Sequence, residues 1–256
     1  DFMYFTELNQ YGKLKQRTEY HNKLLVLSDT EYSFLNSRLL VLNDQISQKI
    51  EGGGRAQIFL TDMLDQPASE RDHSLLVVAH PMKRGYKWNQ GLAPGLNGLE
   101  VINLKAIWQN AWIHSRISFL WSFLLYPFND RLALLRLYQD PDQVLTLWDQ
   151  WQQRRPIIGL AGTDAESKLR VLDDFFIPFP SYETLFGLVS NHILIRSELT
   201  GDAEDDKRKI TRAIRRGQFY FSLDILAEPR GFNAYVRSES GKVHPMGSQF
   251  EFQKGD

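Results

Sequence analysis

Four short aliphatic runs in this sequence stop at residues able to bind a cation or move a proton. Phe2 to Phe5 is followed by Thr6-Glu7-Leu8-Asn9, and Leu24 to Leu27 leads into Ser28-Asp29-Thr30-Glu31. Leu75 to Ala79 stops at His80-Pro81, and Ile157 to Leu160 stops at Gly162-Thr163-Asp164-Ala165-Glu166. Carboxylate and imidazole ligands of this kind suit Zn, Mn or Fe, and such a metal lowers the pKa of a bound water enough for hydrolysis. Taken singly, each residue has a plainer explanation. Asp164 could cap a helix starting near Ala165, and His80 could be a core histidine donating to a backbone carbonyl. Recurrence at several strand ends is what points to a shared site.

Strand ends converge when the strands are parallel neighbours, because reactive groups in such folds gather just beyond the C-terminal ends. The aliphatic runs predict strands over 2–5, 24–27, 38–42, 75–79, 98–102 and 157–160, each buried on both faces as in a parallel sheet. Helix-length stretches lie between them: 57–64, a long one over 104–126, and 131–153 with a break at Asp140-Pro141. A short helix over 210–216, closed by Gly217, and a strand over 219–223 follow. This alternation predicts an α/β fold. Glu51-Gly52-Gly53-Gly54 reads as a flexible loop without the Lys and Ser/Thr of a phosphate-binding P-loop, and 201–209 as a charged surface segment. From Phe232 the pattern turns to β-like alternation in 233–236 and 249–252, so residues 1–228 are expected to form the main domain and 229–256 a short C-terminal β extension.

Composition narrows the classes. With 43% hydrophobic and 24% charged residues over 256 positions, the chain is globular and long enough for a large core. A net charge of -1 argues against wholesale or specific nucleic-acid binding. The absence of cysteine excludes disulfides and thiolate ligands and fits the cytoplasm and the periplasm equally. No stretch approaches the roughly 20 apolar residues that cross a bilayer. No secretory signal is visible, and the opening Asp1-Phe2-Met3-Tyr4-Phe5 reads as mid-strand, so a trimmed start is expected.

Six ordered stretches carry a family resemblance: 5–9, 26–31, Val77-Val78-Ala79-His80-Pro81, Gly98-Leu99-Glu100-Val101-Ile102-Asn103, Gly159-Leu160-Ala161-Gly162-Thr163-Asp164-Ala165, and 212–220. Together they make the chain resemble the PHP superfamily (polymerase and histidinol phosphatase), especially its CehA/McbA-like metallohydrolase branch. The resemblance implies a distorted (β/α)7 TIM-like barrel with divalent metals (Mn, Zn, Mg or Fe) at the strand C-termini and phosphoesterase activity. It would make Glu31 a metal bridge and His80 and Asp164 metal ligands. The departures are specific. The family's opening His-x-His strand is expected to lie ahead of Asp1; Leu8 and Arg38 stand where the family has histidines; and its Asp-x-His becomes Asp164-Ala165-Glu166.

A site of Glu7, Glu31, Asp164, Glu166 and His80 is strongly anionic, which favours harder cations such as Mg or Mn over Zn. Arg38 offers an alternative counter-charge, giving an ion-paired site without metal, and this is the favoured arrangement. Two functions follow. One is a metal-dependent phosphoesterase with a degenerate metal site. The other is a catalytically inactive PHP-like binding or scaffold domain for an anionic ligand or protein partner. In the second, Arg38 with Lys83 and Arg84, and Lys87 nearby, would hold a phosphorylated small molecule, although such a charge run more often marks a solvated loop. The aromatic stretch Trp108, Trp112, Phe119, Trp121, Phe123 and Tyr126 is most simply a core or oligomer-facing helix, with membrane contact not expected.

Overall fold

Leu39 and Val41 bury on one side of their strand while Leu40 and Leu42 bury on the other, and Leu75 to Val78 repeat the pattern next door. Two-sided burial of this kind requires layers on both faces of a sheet. The computed structural model describes residues 2–8, 18–43, 53–71, 74–166, 169–172, 175–177 and 180–250. The sheet is built from β1 (Phe2–Leu8), β2 (Glu19–His21), β3 (Leu24–Phe34), β4 (Ser37–Leu42), β5 (Leu75–Val78), β6 (Gly98–Asn103) and β7 (Ile158–Gly162). Its order is β1-β3-β4-β5-β6-β7, with β2 paired to β3. The β1–β3, β5–β6 and β6–β7 pairs are parallel, whereas β3–β4 and β4–β5 are antiparallel. The result is a mixed α/β fold in which the six strands β1-β3-β4-β5-β6-β7 curl into a half-barrel and β2 is a seventh strand paired to β3.

β4 corrects the expectation of a wholly parallel sheet. Phe34 pairs directly with Ser37, so Leu35-Asn36 is a two-residue turn, and a connection that short joins only antiparallel strands. Leu35 takes the turn with a φ of 50°. Another correction concerns length, because β3 runs on to Phe34 and places Glu31 inside a strand rather than after one.

Helices α1 (Gly53–Asp65), α2 (Leu104–His114), α3 (Arg116–Leu125), α4 (Asp130–Leu135) and α5 (Asp142–Gln152) connect the strands. α1 and α5 cover the face carrying Leu39, Val41, Leu76, Val78 and Leu99. The single helix expected over 104–126 is broken at Ser115, whose φ of -142° and ψ of 56° leave the helical region. That bend brings the Trp112 and Phe119 rings edge to face at 5.0 Å.

Beyond β7 come β8 (Leu169–Leu172), β9 (Phe175–Ile177), α6 (Tyr182–Phe186), β10 (Ser190–Ile193), α7 (Ala203–Arg215), β11 (Phe219–Ser222), β12 (Tyr235–Arg237) and β13 (Val243–Pro245). β11 pairs with β10 rather than joining the main sheet. β10 meets β7 through a side chain: Asn191 accepts from the Ala161 N–H and donates to the Ala161 carbonyl. β12 and β13 form a hairpin within the expected C-terminal extension; the end of the strand expected over 249–252 lies outside the described residues.

The segment expected to be a charged surface loop is instead largely α7. Asp202 caps it, acidic residues fill its first turn and Arg212 and Arg215 its last, all complementing the helix dipole. Gly217 then closes it at a φ of 66°. Ile210 and Ile214 bury against Leu25, Leu27, Leu40 and Val77, so α7 covers the second face of the sheet. Arg215 donates to the carbonyls of Ala68, Arg71 and Ser74, and the buried Lys207 Nζ lies 2.7 Å from the buried Asp29 Oδ1. Losing one partner of a buried ion pair strands the other charge. Lys207→Met is therefore expected to lower stability in urea unfolding by about 3–5 kcal/mol. Arg208→Ala, which removes only an exposed pair with Asp205, should stay within about 0.5 kcal/mol; equal losses would show that the Lys207–Asp29 pair does not anchor α7.

Candidate functional site

Strand parity assembles the site. Residues 25, 27, 29, 31 and 33 of β3 share one face because side chains alternate along a strand, and Leu25 and Leu27 place that face under α7. Glu31 pairs with Leu40 and Ser33 with Arg38, so Arg38 lands on the same face beside Glu31. Arg38 Nε lies 3.8 Å from Glu31 Oε1, and its Nη1 donates to Ser33 Oγ at 2.5 Å. On β6, Glu100 pairs with Leu160 and so faces the same way. A methyl group at Gly162 would come within 2.5 Å of the Glu100 carboxylate, so a side chain there would push that carboxylate from its present position.

His80 and Asp164 follow β5 and β7 directly. Both adopt positive φ, 31° and 48°, which non-glycine residues rarely do and which recurs where side chains are aimed for function. The His80 backbone N–H donates to Glu100 Oε2 at 2.8 Å, and His80 Nε2 lies 4.0 Å from Glu31 Oε1. Asn103 Nδ2 donates to the same Glu100 oxygen at 3.1 Å, while its Oδ1 caps α2 by accepting from Ala106. Asp164 sits between two ammonium groups, Lys83 at 3.2 Å and Lys105 at 3.5 Å, and Lys105 also binds Glu166. The Tyr86 ring closes one side, with the Arg38 guanidinium 4.9 Å from its centre and His80 edge-on at 5.9 Å.

The cluster therefore unites Glu31, His80, Asp164, Glu166, Arg38 and Lys83. Arg84 is exposed and lines the adjoining cleft. Glu7 lies in β1 opposite Thr30, and its side chain lies outside the described residues. No helix begins at 163–166, so Asp164 is not a helix cap there. Nor is His80 a satisfied core histidine, since its buried Nδ1 has no hydrogen-bond partner among the described residues. Sequence reasoning missed Glu100, Asn103 and Lys105. A lone acid inside the apolar run of β6 was the available signal for the first; Lys105 carried none.

Electrostatics follow from burial and from these neighbours. Burial, with the Asp164 charge, pushes Glu31 up against the opposing pull of Arg38, Lys83 and Lys105. Burial drives Glu100 up to about 7, assisted by Asp164 and Glu31 and opposed by the His80 N–H and Asn103. Burial and Lys83 drive His80 down to about 4. For Asp164, burial acts upward but the two lysines outweigh it and hold the carboxyl low. Lys105 is pushed down by burial and raised overall by Glu166 and Asp164.

A divalent metal does not fit these residues as arranged. The carboxylates of Glu31 and Asp164 are already matched by Arg38, Lys83 and Lys105, and a metal bound to Asp164 would meet two ammonium groups. No group of three or more His, Asp or Glu among the described residues is arranged to hold one.

Two buried groups should leave opposite pH signatures on stability. The folded pKa of Glu100 lies above its ordinary 4.5, so its stabilisation is full below pH 4.5 and is lost as pH rises through about 7. That of His80 lies below its ordinary 6.5, so its contribution is full above pH 6.5 and is lost as pH falls through about 4. Urea unfolding should show wild type losing up to about 3 kcal/mol relative to Glu100→Gln between pH 4.5 and 7. Relative to His80→Asn it should gain a similar amount from pH 4 to 6.5, asparagine tolerating the positive φ. Flat differences in both comparisons would mean that neither group is perturbed. Comparison with family models, curated proteins and solved structures finds no match, so the role of the cluster is to be read from its own geometry.

Proposed function

We propose that this chain is a PHP-like α/β domain, a distorted (β/α)7 barrel in type, whose strand-end site binds a phosphate-type anion through its own cations. One observation carries the reading: Lys83 and Lys105 converge on Asp164 from two different elements, with Arg38 beside Glu31 on the neighbouring strands. An ammonium group has three N–H donors. Lys83 uses one on Asp164, which leaves others for a phosphate oxygen. The unpartnered His80 Nδ1 is a further polar group in the same place. Neutral imidazole, a phenol and lysines suit recognition of a phosphorylated small molecule by charge-assisted hydrogen bonds.

Convergence of Glu31, His80 and Asp164 favours a second reading, the metal-dependent phosphoesterase. That reading requires Lys83 and Lys105 to leave Asp164. The two are separated by titrating inorganic phosphate into the purified chain by calorimetry with EDTA, and by assaying p-nitrophenyl phosphate with added Mn or Zn. Binding in EDTA is expected, weakened about tenfold or more by Lys83→Ala or Lys105→Ala, since a charged hydrogen bond is worth about 1.5–3 kcal/mol. Stoichiometric metal uptake with hydrolysis lost in His80→Ala would replace this reading with the phosphoesterase.

A further inference from the structure

His80, Lys83, Glu100, Lys105, Asp164 and Glu166 of the charged cluster line a cleft of 1710 Å³, well beyond the roughly 300–1,000 Å³ of ordinary small-molecule sites. The same cleft is lined by Trp108 and Trp112 of α2, Phe119 and Phe123 of α3, Leu134 of α4, and Leu137, with Gln109, Asn110, Asp140 and Asp142 among them. Within this lining His80 and Glu100 are only 6% and 9% exposed and Leu134 and Leu137 only 2% and 4%, whereas Trp112, Leu120 and Phe123 are 45%, 56% and 38% exposed. Contiguous exposed apolar surface rimmed by polar groups marks a place that something covers. The lining says what kind of thing, because lysine ammonium groups and aromatic side chains share one cleft.

We propose that the cleft binds a monomeric amphiphile, its phosphate head held by Lys83, Lys105 and Arg84 and its apolar body lying along α2, α3 and α4. This rests on the anion-binding reading above and names the ligand class for it. The lysines and Arg84 supply the head's counter-charge, Asp164 and Glu166 keep the two ammonium groups in place, and the aromatic walls supply an apolar lining continuous with them. The Lys83 side chain is only 11% exposed, so the head sits below the surface, which favours a free amphiphile over a lipid anchored in a bilayer, whose head would remain at the membrane surface.

Decyl phosphate below its micellar concentration, inorganic phosphate and uncharged decyl maltoside are titrated into the chain by calorimetry. Decyl phosphate should bind one to one and about 100-fold more tightly than inorganic phosphate, a modest part of what burying a ten-carbon tail can yield. Lys83→Ala/Lys105→Ala should weaken decyl phosphate and inorganic phosphate alike. Leu120→Ser, at an exposed position lining the same cleft, should weaken decyl phosphate about tenfold, as expected for lost apolar contact, and inorganic phosphate much less. Equal affinity for decyl phosphate and inorganic phosphate overturns the amphiphile while leaving the anion site intact. No binding of either overturns both. Decyl maltoside binding as tightly as decyl phosphate, with no effect of the lysine substitutions, overturns the head assignment and with it the anion site. Binding to phosphatidic acid vesicles without binding to the monomer overturns the proposal in favour of membrane docking through α3.

Discussion

A carboxylate turned into a packed sheet interior needs a counter-charge or a proton, and this chain meets that requirement four times on one sheet face. Asp29 is matched by Lys207, Glu31 by Arg38, and Asp164 by Lys83 and Lys105. Glu100, hydrogen-bonded to the His80 N–H and Asn103, takes the proton instead, with a pKa near 7. Each solution draws its partner from another element, so neutralising the acids also ties the elements together. α7 is fastened to β3, β4 to β3, and the loop after β5 to the loop after β7.

The same requirement shapes the local backbone. His80 and Asp164 leave their strands with positive φ. In that conformation the His80 N–H reaches Glu100 while the imidazole approaches Glu31. Gly162 keeps the adjoining strand clear of the Glu100 carboxylate. His80 and Asp164 are two of six non-glycine residues at positive φ among the described residues, and both lie where the charges meet, next to well-packed strands. The apolar walls of the cleft come from α2, α3 and α4: Leu104 and Leu134 pack with Ile102 and Ala161 of the sheet, while Trp112, Leu120 and Phe123 remain exposed.

Some elements were legible because their signal is local. β5, β6 and β7 follow from short aliphatic runs, and the break at Asp140-Pro141 follows from proline. The direction of β4 was not legible from its own residues, since Leu39 to Leu42 would look the same in either orientation; the two residues before it decide. The beginning of α7 was missed because its charges read as solvated, whereas Asp206 and Lys207 are buried with partners far away in sequence. The Trp-rich stretch was expected as one helix packed in a core or against another subunit. It forms two, with Trp112 and Trp121 exposed.

By itself the sequence singled out Glu31, His80 and Asp164, with Arg38 as a cation among acids, and the structure brings them close together. Their selection follows from alternation and position, which are properties of neighbouring residues. Only the tertiary structure decided that Glu100 and Lys105 belong to the cluster, that two lysines enclose Asp164, and that an apolar cleft opens beside them. Those outcomes depend on strand register and on distances between elements far apart in the chain, because electrostatic pairing depends on separation in space and not along the chain.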